Sequence, residues 1–254
     1  MSTKNSKTTG GRAGLTKTQR GWPPKSILQP EEGHHWSRTV VFDLHNTLVN
    51  WTSAFIEFAN TIYGYDMDPS KQRFYSFQMD PDNPLSNAEF VDLFVAFARR
   101  HDGGYGDLKP YEGAIEAIKA IKAAGIDVKV WTWTPGAAES RLNHSAGSYN
   151  HGVAQGETRK LIAKLGLDPD RDLRFISPGS KKYEMVSEHI PLIVEDSPET
   201  AVGVGQMAHA AILVPEEYTK GVKAPNVLRL DHRSQLAPTV IRFFEELDAA
   251  GKLL

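Results

Sequence analysis

Four short apolar runs, each stopped by residues able to do chemistry, constrain this chain more than any other feature. "RTVVFDL" ends around Asp43, and "IDVKVWT", Ile126 to Thr132, ends on a threonine. "LRFIS", Leu173 to Ser177, leads into "PGSKKYEMV", and "PLIVED", Pro191 to Asp196, ends on an acidic pair. Short runs of β-branched and aromatic residues without polar alternation read as central strands buried on both faces. Weaker runs of the same kind are "AAILV" near Val214 and "NVLRL" near Leu230.

Helical patterns lie between the runs. Glu112 to Ala124 carries Ile115, Ile118 and Ile121 near one face and ends at Gly125, a residue suited to a helix C-cap. Thr158 to Leu165 is stopped by Gly166, and Leu236 to Leu247 sets Leu236, Val240, Phe243, Phe244 and Leu247 on one stripe. This alternation predicts an α/β fold: a Rossmann-like parallel sheet with helices on both faces. In such sheets ligands collect at the carboxyl ends of the strands, where the four polar terminations stand.

One stretch interrupts the alternation. From 51 to 109 there are helical patterns and no strong strand, with Pro69, Pro81 and Pro84 breaking it into pieces. Ser86 and Glu89 form a capping box ahead of "FVDLFVAFA". The expectation is a small, mainly helical cap at 51–109, inserted into an α/β core made of 38–50 and 110–254. Residues 1–37 read as a disordered basic arm, because Lys4, Lys7, Arg12, Lys17, Arg20 and Lys25 precede any acidic residue and few apolar groups accompany them. A solvated tail is preferred there over an arm that touches nucleic acid.

Composition excludes several classes. The chain has no cysteine, so thiolate nucleophiles, disulfides and cysteine metal sites are ruled out. The net charge of -2 argues against binding nucleic acid through overall basicity. No apolar run reaches the roughly 20 residues needed to span a bilayer, and the N-terminus lacks a signal-peptide core. A cytoplasmic protein with no membrane contact is the expectation.

The strand-end residues suit attack on a phosphate. Asp43 can serve as a nucleophile that forms an acyl phosphate. Its charge opposes an anionic substrate, so a divalent cation is needed between them. Magnesium takes oxygen ligands and few protein carboxylates, which Asp43 and Asp196 can supply, with a backbone carbonyl near His45. A hydroxyl, from Thr132 or Thr134, and an ammonium, from Lys181 or Lys182, would stabilise the phosphoryl oxygens.

Together the four segments resemble the four motifs of the haloacid dehalogenase superfamily, over roughly Arg38 to Val214. The resemblance implies that Asp43 is the nucleophile, Thr132 the phosphate-binding hydroxyl and Lys182 the lysine of the third motif. "KYEMV" is similar to the start of that family's lysine helix. It also implies that Asp196 is a metal ligand beside Glu195, and that Mg2+ is the cofactor. The cap layout, with "LKPYEGAIEAI" leading into the second motif, is similar to the 5'(3')-deoxyribonucleotidases. On that likeness Trp51, Phe55, Phe58, Phe74, Tyr75 and Phe77 either stack on a base or pack the cap's own core, and the packing role is preferred.

One position departs from the pattern. Phosphatases of this superfamily carry an aspartate, the general acid and base, two residues after the nucleophile; here that position is His45. The resemblance therefore implies a magnesium-dependent phosphomonoesterase acting on a small phosphorylated molecule, nucleotides among the candidates, with His45 in the proton-transfer position. Two competing readings follow from the departure: an enzyme of the same fold acting on a non-phosphate bond, and a non-catalytic member that binds a phospholigand or a protein.

Overall fold

The computed structural model describes residues 22–72, 83–134 and 152–254, without the side chains of Asn87, Pro178 and Lys182. A short helix, α1 (Lys25–Leu28), precedes the first strand, β1 (Thr39–Phe42). Two helices follow, α2 (Trp51–Tyr63) and α3 (Asn87–Ala98), and then α4 (Ala114–Ala123) leads into β2 (Asp127–Thr132). The chain continues through α5 (Gly152–Lys164), β3 (Leu173–Phe175), α6 (Lys181–Ser187), β4 (Leu192–Glu195) and α7 (Pro198–Gln206). It closes with β5 (Ala210–Leu213), β6 (Val227–Arg229) and α8 (Leu236–Ala249).

The six strands form one parallel sheet in the order β3-β2-β1-β4-β5-β6. Strand parity divides the core into two layers. Val40, Phe42, Leu192, Val194, Ala210 and Ile212 join the larger cluster, which α4, α5 and α8 also supply. Val41, Ile193, Ala211 and Leu213 face the other way, onto Met185 of α6 and Ala201 and Val204 of α7. Both faces are covered, which explains why these strands read as unbroken apolar runs. Strand order reverses at β1, with β2 on one side and β4 on the other. The crevice at the carboxyl ends of those strands is where such a sheet accepts a ligand.

The inserted segment leaves and returns at one point. Asn50 N–H donates to the Lys109 carbonyl and Tyr111 N–H to the Leu48 carbonyl, at 3.0 and 2.9 Å. Ser86 caps α3 with both halves of the capping box formed. Among the described residues, no helix is long and apolar enough to cross a membrane.

The N-terminal expectation needs correcting for residues 22–37. Trp22, Ile27 and Trp36 are buried. Trp22 packs on Phe243 of α8, and its carbonyl accepts from Arg242 at 2.9 Å. Trp36 donates its indole N–H to the Ile27 carbonyl, while its backbone pairs with Lys252 and Leu254. Apolar residues are sparse in this stretch, but Trp22 and α1 reach α8 and Trp36 packs on His209, and that burial outweighs the polar composition. Residues 1–21 of the expected arm lie outside the described residues.

Candidate active site

Asp43 directly follows β1, and its N–H bonds to the Val194 carbonyl of β4 at 2.9 Å. That single contact ties the candidate nucleophile to the neighbouring strand end. Glu195 ends β4 and Asp196 follows it. One ligand atom from each of Asp43, Glu195 and Asp196 lies within 4.8 Å of the others, and all three residues are buried.

Lys181 enters from the start of α6, behind the turn Pro178–Ser180. Its Nζ lies 2.5 Å from Asp43 Oδ1 and 2.7 Å from Glu195 Oε1, with the side chain 2% exposed. The lysine in the site is thus Lys181, which corrects the preference for Lys182. Successive helical residues are rotated by about 100°, so only one of two adjacent lysines can take this position, and the turn ahead of α6 aims the first. The side chain of Lys182 lies outside the described residues.

Glu195 is the anchor of the cluster. Its other oxygen, Oε2, accepts from the N–H groups of Asp196 and Ser197, both at 3.1 Å. Asp196 accepts from the Tyr218 hydroxyl at 2.7 Å. Burial and neighbouring negative charge push the Asp196 carboxyl well above its ordinary range. Burial also raises Asp43 and Glu195, against the pull of Lys181. For Lys181, burial alone would lower the ammonium, but Asp43 and Glu195 hold its pKa above the ordinary value.

Three carboxylates against one ammonium leave a formal excess of two negative charges in a buried space. Such an excess is costly without a counter-charge. Oxygen donors with that deficit fit a hard divalent cation.

His45 stands beside this cluster. Its Nδ1 is 3.4 Å from Thr132 Oγ1, and its Nε2 is buried without a partner. Burial, then the charge of Lys181, lowers its pKa to about 3. Thr132 ends β2 fully buried; Thr134 is equally buried, and its Oγ1 has no partner. Asn46 takes a left-handed φ of 54° and accepts from Thr52 N–H at 2.9 Å, which turns the chain sharply after Asp43. The structure therefore brings Asp43, His45, Thr132 and Asp196 together, with Lys181 beside them.

Several residues of this site were not singled out from the sequence. Tyr218 and Glu216 follow β5, whose apolar run was one of the weaker two; the string "PEEYT" at the end of that run was the available signal. Arg233, in the turn Arg233–Gln235, donates to the carbonyls of Thr47 and Asn46, both at 2.6 Å. It also pairs with Glu216. Phe94, Tyr105 and Trp133 line a cavity of about 160 Å³ above Asp43, together with Trp51. Of the aromatic residues proposed for stacking, Phe55 and Phe58 are buried, whereas Phe74, Tyr75 and Phe77 lie outside the described residues.

No protein-family model matches the chain, and no curated protein matches it. Solved structures do. A HAD family hydrolase from Deinococcus radiodurans R1, solved with bound phosphate and sodium, is 16% identical with a TM-score of 0.50, covering 85% of this chain and 97% of its own. A haloacid dehalogenase-like family hydrolase from Streptococcus pneumoniae is 12% identical with a TM-score of 0.50, covering 81% and 97%. The parallel sheet, its strand order and these likenesses agree: the chain has the haloacid dehalogenase-like fold.

Proposed function

We propose that the chain is a magnesium-dependent hydrolase of phosphate monoesters with Asp43 as its nucleophile. One observation carries the reading: Asp43, Glu195 and Asp196 gather around Lys181 in a buried cluster at the point where strand order reverses. A merely structural role does not account for this much uncompensated charge at the ligand-accepting end of a sheet. The phosphate bound to the Deinococcus hydrolase is consistent with it.

Asp43, Asp196 and the backbone near His45 would hold the ion. Magnesium there would screen the carboxylate from an anionic substrate and polarise the phosphoryl group. A carboxylate oxygen of Asp43 attacks phosphorus; the bond from phosphorus to the leaving oxygen breaks, and that oxygen takes a proton. Water then attacks the aspartyl phosphate, releasing Asp43 and inorganic phosphate and losing a proton. Lys181 holds the Asp43 carboxylate in place and offsets charge on the phosphoryl oxygens, and Thr132 supplies a hydroxyl. His45, held neutral by burial and Lys181, would accept the proton of the attacking water at its unpartnered Nε2, while the leaving oxygen takes its proton from solvent.

The test is phosphate release from a panel of sugar phosphates, nucleotides and phosphopeptides, with magnesium and with a chelator. Metal-dependent release that disappears in Asp43→Asn supports the reading. Release that survives Asp43→Asn refutes the nucleophile. A second reading, hydrolysis of a carbon–halogen bond, is favoured by His45 in place of aspartate and by the aromatic lining. There Asp43 would attack carbon, halide would leave with the bonding pair, and water would cleave the ester. Halide release without phosphate release would select it.

A further inference from the structure

The floor and the wall of the cavity above Asp43 differ in kind. The floor carries Asp43, Lys181 and Asp196, and the wall carries Trp51, Phe94, Tyr105 and Trp133. We propose that this wall seats a compact, uncharged aromatic ring as the leaving group of the phosphate ester. The inference rests on the phosphomonoesterase reading and deepens it.

Three observations lead there. First, the rings are braced from behind. Trp51 stacks on Phe55 with centroids 4.8 Å apart and planes 8° apart, and its edge meets Phe97. Phe94 stacks on Phe90 at 6.0 Å, and Tyr105 packs against Phe97 at 5.5 Å. Trp133, from the loop after β2, lies parallel to Phe94 at 5.8 Å. A wall held by ring contacts is already ordered, so a planar ligand binds without ordering it.

Second, this wall is not only packing. Phe55 and Phe97 behind it are fully buried, whereas Trp51, Phe94 and Trp133 keep part of their surface open. Three of the four rings that line the cavity are thus partly exposed, and the fourth, Tyr105, is buried against them. They come from two sources, α2, α3 and the turn Tyr105–Asp107 on one side and the loop after β2 on the other.

Third, charge and size restrict the leaving group. Among the described lining residues the lysine is Lys181, and its Nζ is taken by Asp43 and Glu195. A second anionic group on the substrate would meet aromatic faces, whose quadrupole is negative. The cavity of about 160 Å³ lies below the roughly 300 Å³ at which sites for drug-sized ligands begin. One phosphoryl group and one six-membered ring suit that space better than a nucleotide does.

The experiment compares benzyl, cyclohexylmethyl and ethyl phosphates on the full chain with magnesium. All three leaving groups are primary alcohols of similar reactivity, so differences report recognition rather than chemistry. Benzyl phosphate is expected to show a KM roughly tenfold below that of the other two. In Phe94→Leu and Trp133→Leu the ratio of benzyl to cyclohexylmethyl KM should move towards one. Equal KM values for the three esters, or a preference that survives both variants, overturns the inference while leaving the phosphatase reading intact. Should no ester turn over, calorimetry with benzylphosphonate and methylphosphonate decides: binding of neither overturns both readings, and equal binding overturns this one. Roughly tenfold tighter binding of benzylphosphonate upholds it.

Discussion

The guanidinium of Arg233 sits over the ring of Tyr111, 3.5 Å from its carbon to the ring centroid. From there it bonds the carbonyls of Asn46 and Thr47, in the turn just beyond Asp43. Tyr111 donates its hydroxyl to Glu216 at 3.2 Å, and Glu216 also pairs with Arg233. Residues far apart in the chain thus hold the loop that orients Asp43. Only a planar cation with several fixed donors can stack on a ring and meet two carbonyls at once.

Arg233→Lys should therefore be far from conservative. It is expected to lower stability by about 2 kcal/mol, read as the midpoint of urea unfolding. Turnover should fall more than KM rises, because the loop sets the attack geometry rather than substrate affinity. Arg233→Ala should regain part of its turnover when guanidinium is added at low, non-denaturing concentration. A stability loss with turnover per folded molecule unchanged would limit Arg233 to a structural role.

Tyr218 restrains Asp196 through one hydrogen bond of 2.7 Å. Tyr218→Phe should weaken magnesium about tenfold, as losing a partner of a metal ligand commonly does. Asp196→Asn should weaken it further, without unfolding the protein. Metal titration by calorimetry reads both. An unchanged magnesium affinity in Asp196→Asn would remove Asp196 from the ligand set.

His45 faces the cavity with Nε2 unpartnered. His45→Ala is expected to lower turnover about 100-fold, the lower end of what proton transfer contributes, while inorganic phosphate still binds. His45→Asp should retain or raise phosphatase activity. Turnover at the parent rate in His45→Ala would show that the ring only fills space.

The packed segment 22–37 should matter to stability. Trp22→Ala and Ile27→Ala are each expected to cost about 3 kcal/mol, as buried large side chains do. Deleting residues 1–37 should lower the melting temperature clearly. A truncated chain that melts with the parent would mean that Trp22, Ile27 and Trp36 add nothing to the core.

Asp172 provides a test by pH away from the site. Burial would raise its carboxyl, but Arg171, the Asp168 N–H and Lys129 outweigh that and hold it at about 2. A carboxylate with a depressed folded pKa stabilises above its ordinary range, and that contribution is lost as pH falls through the folded value. Asp172→Asn should cost about 1 kcal/mol at neutral pH, a figure reduced for the solvent-exposed Arg171 partner. The gap to the parent should close as pH falls from about 4 to about 2. Thermal melts across that range read it, and a gap independent of pH would assign the loss to packing.

What the sequence determined by itself is the order of elements and the chemistry at their ends. The apolar runs stop where polar residues begin, so Asp43, Thr132 and the Glu195–Asp196 pair were legible as strand-end residues from local pattern alone. The parallel sheet followed from alternation, and the site's place from the carboxyl ends of its strands. The choice between Lys181 and Lys182 was not legible. It depends on how the turn Pro178–Ser180 aims α6, and local propensity is the same for two adjacent lysines. The burial of Trp22, Ile27 and Trp36 was hidden because it depends on α8, His209 and the chain's last residues, some 200 residues away. Arg233, Tyr218 and the rings of Phe94, Tyr105 and Trp133 beside Trp51 joined the site only in the folded chain. Their contacts are long-range, and no period or spacing along a sequence encodes which distant side chains the strand order will bring together.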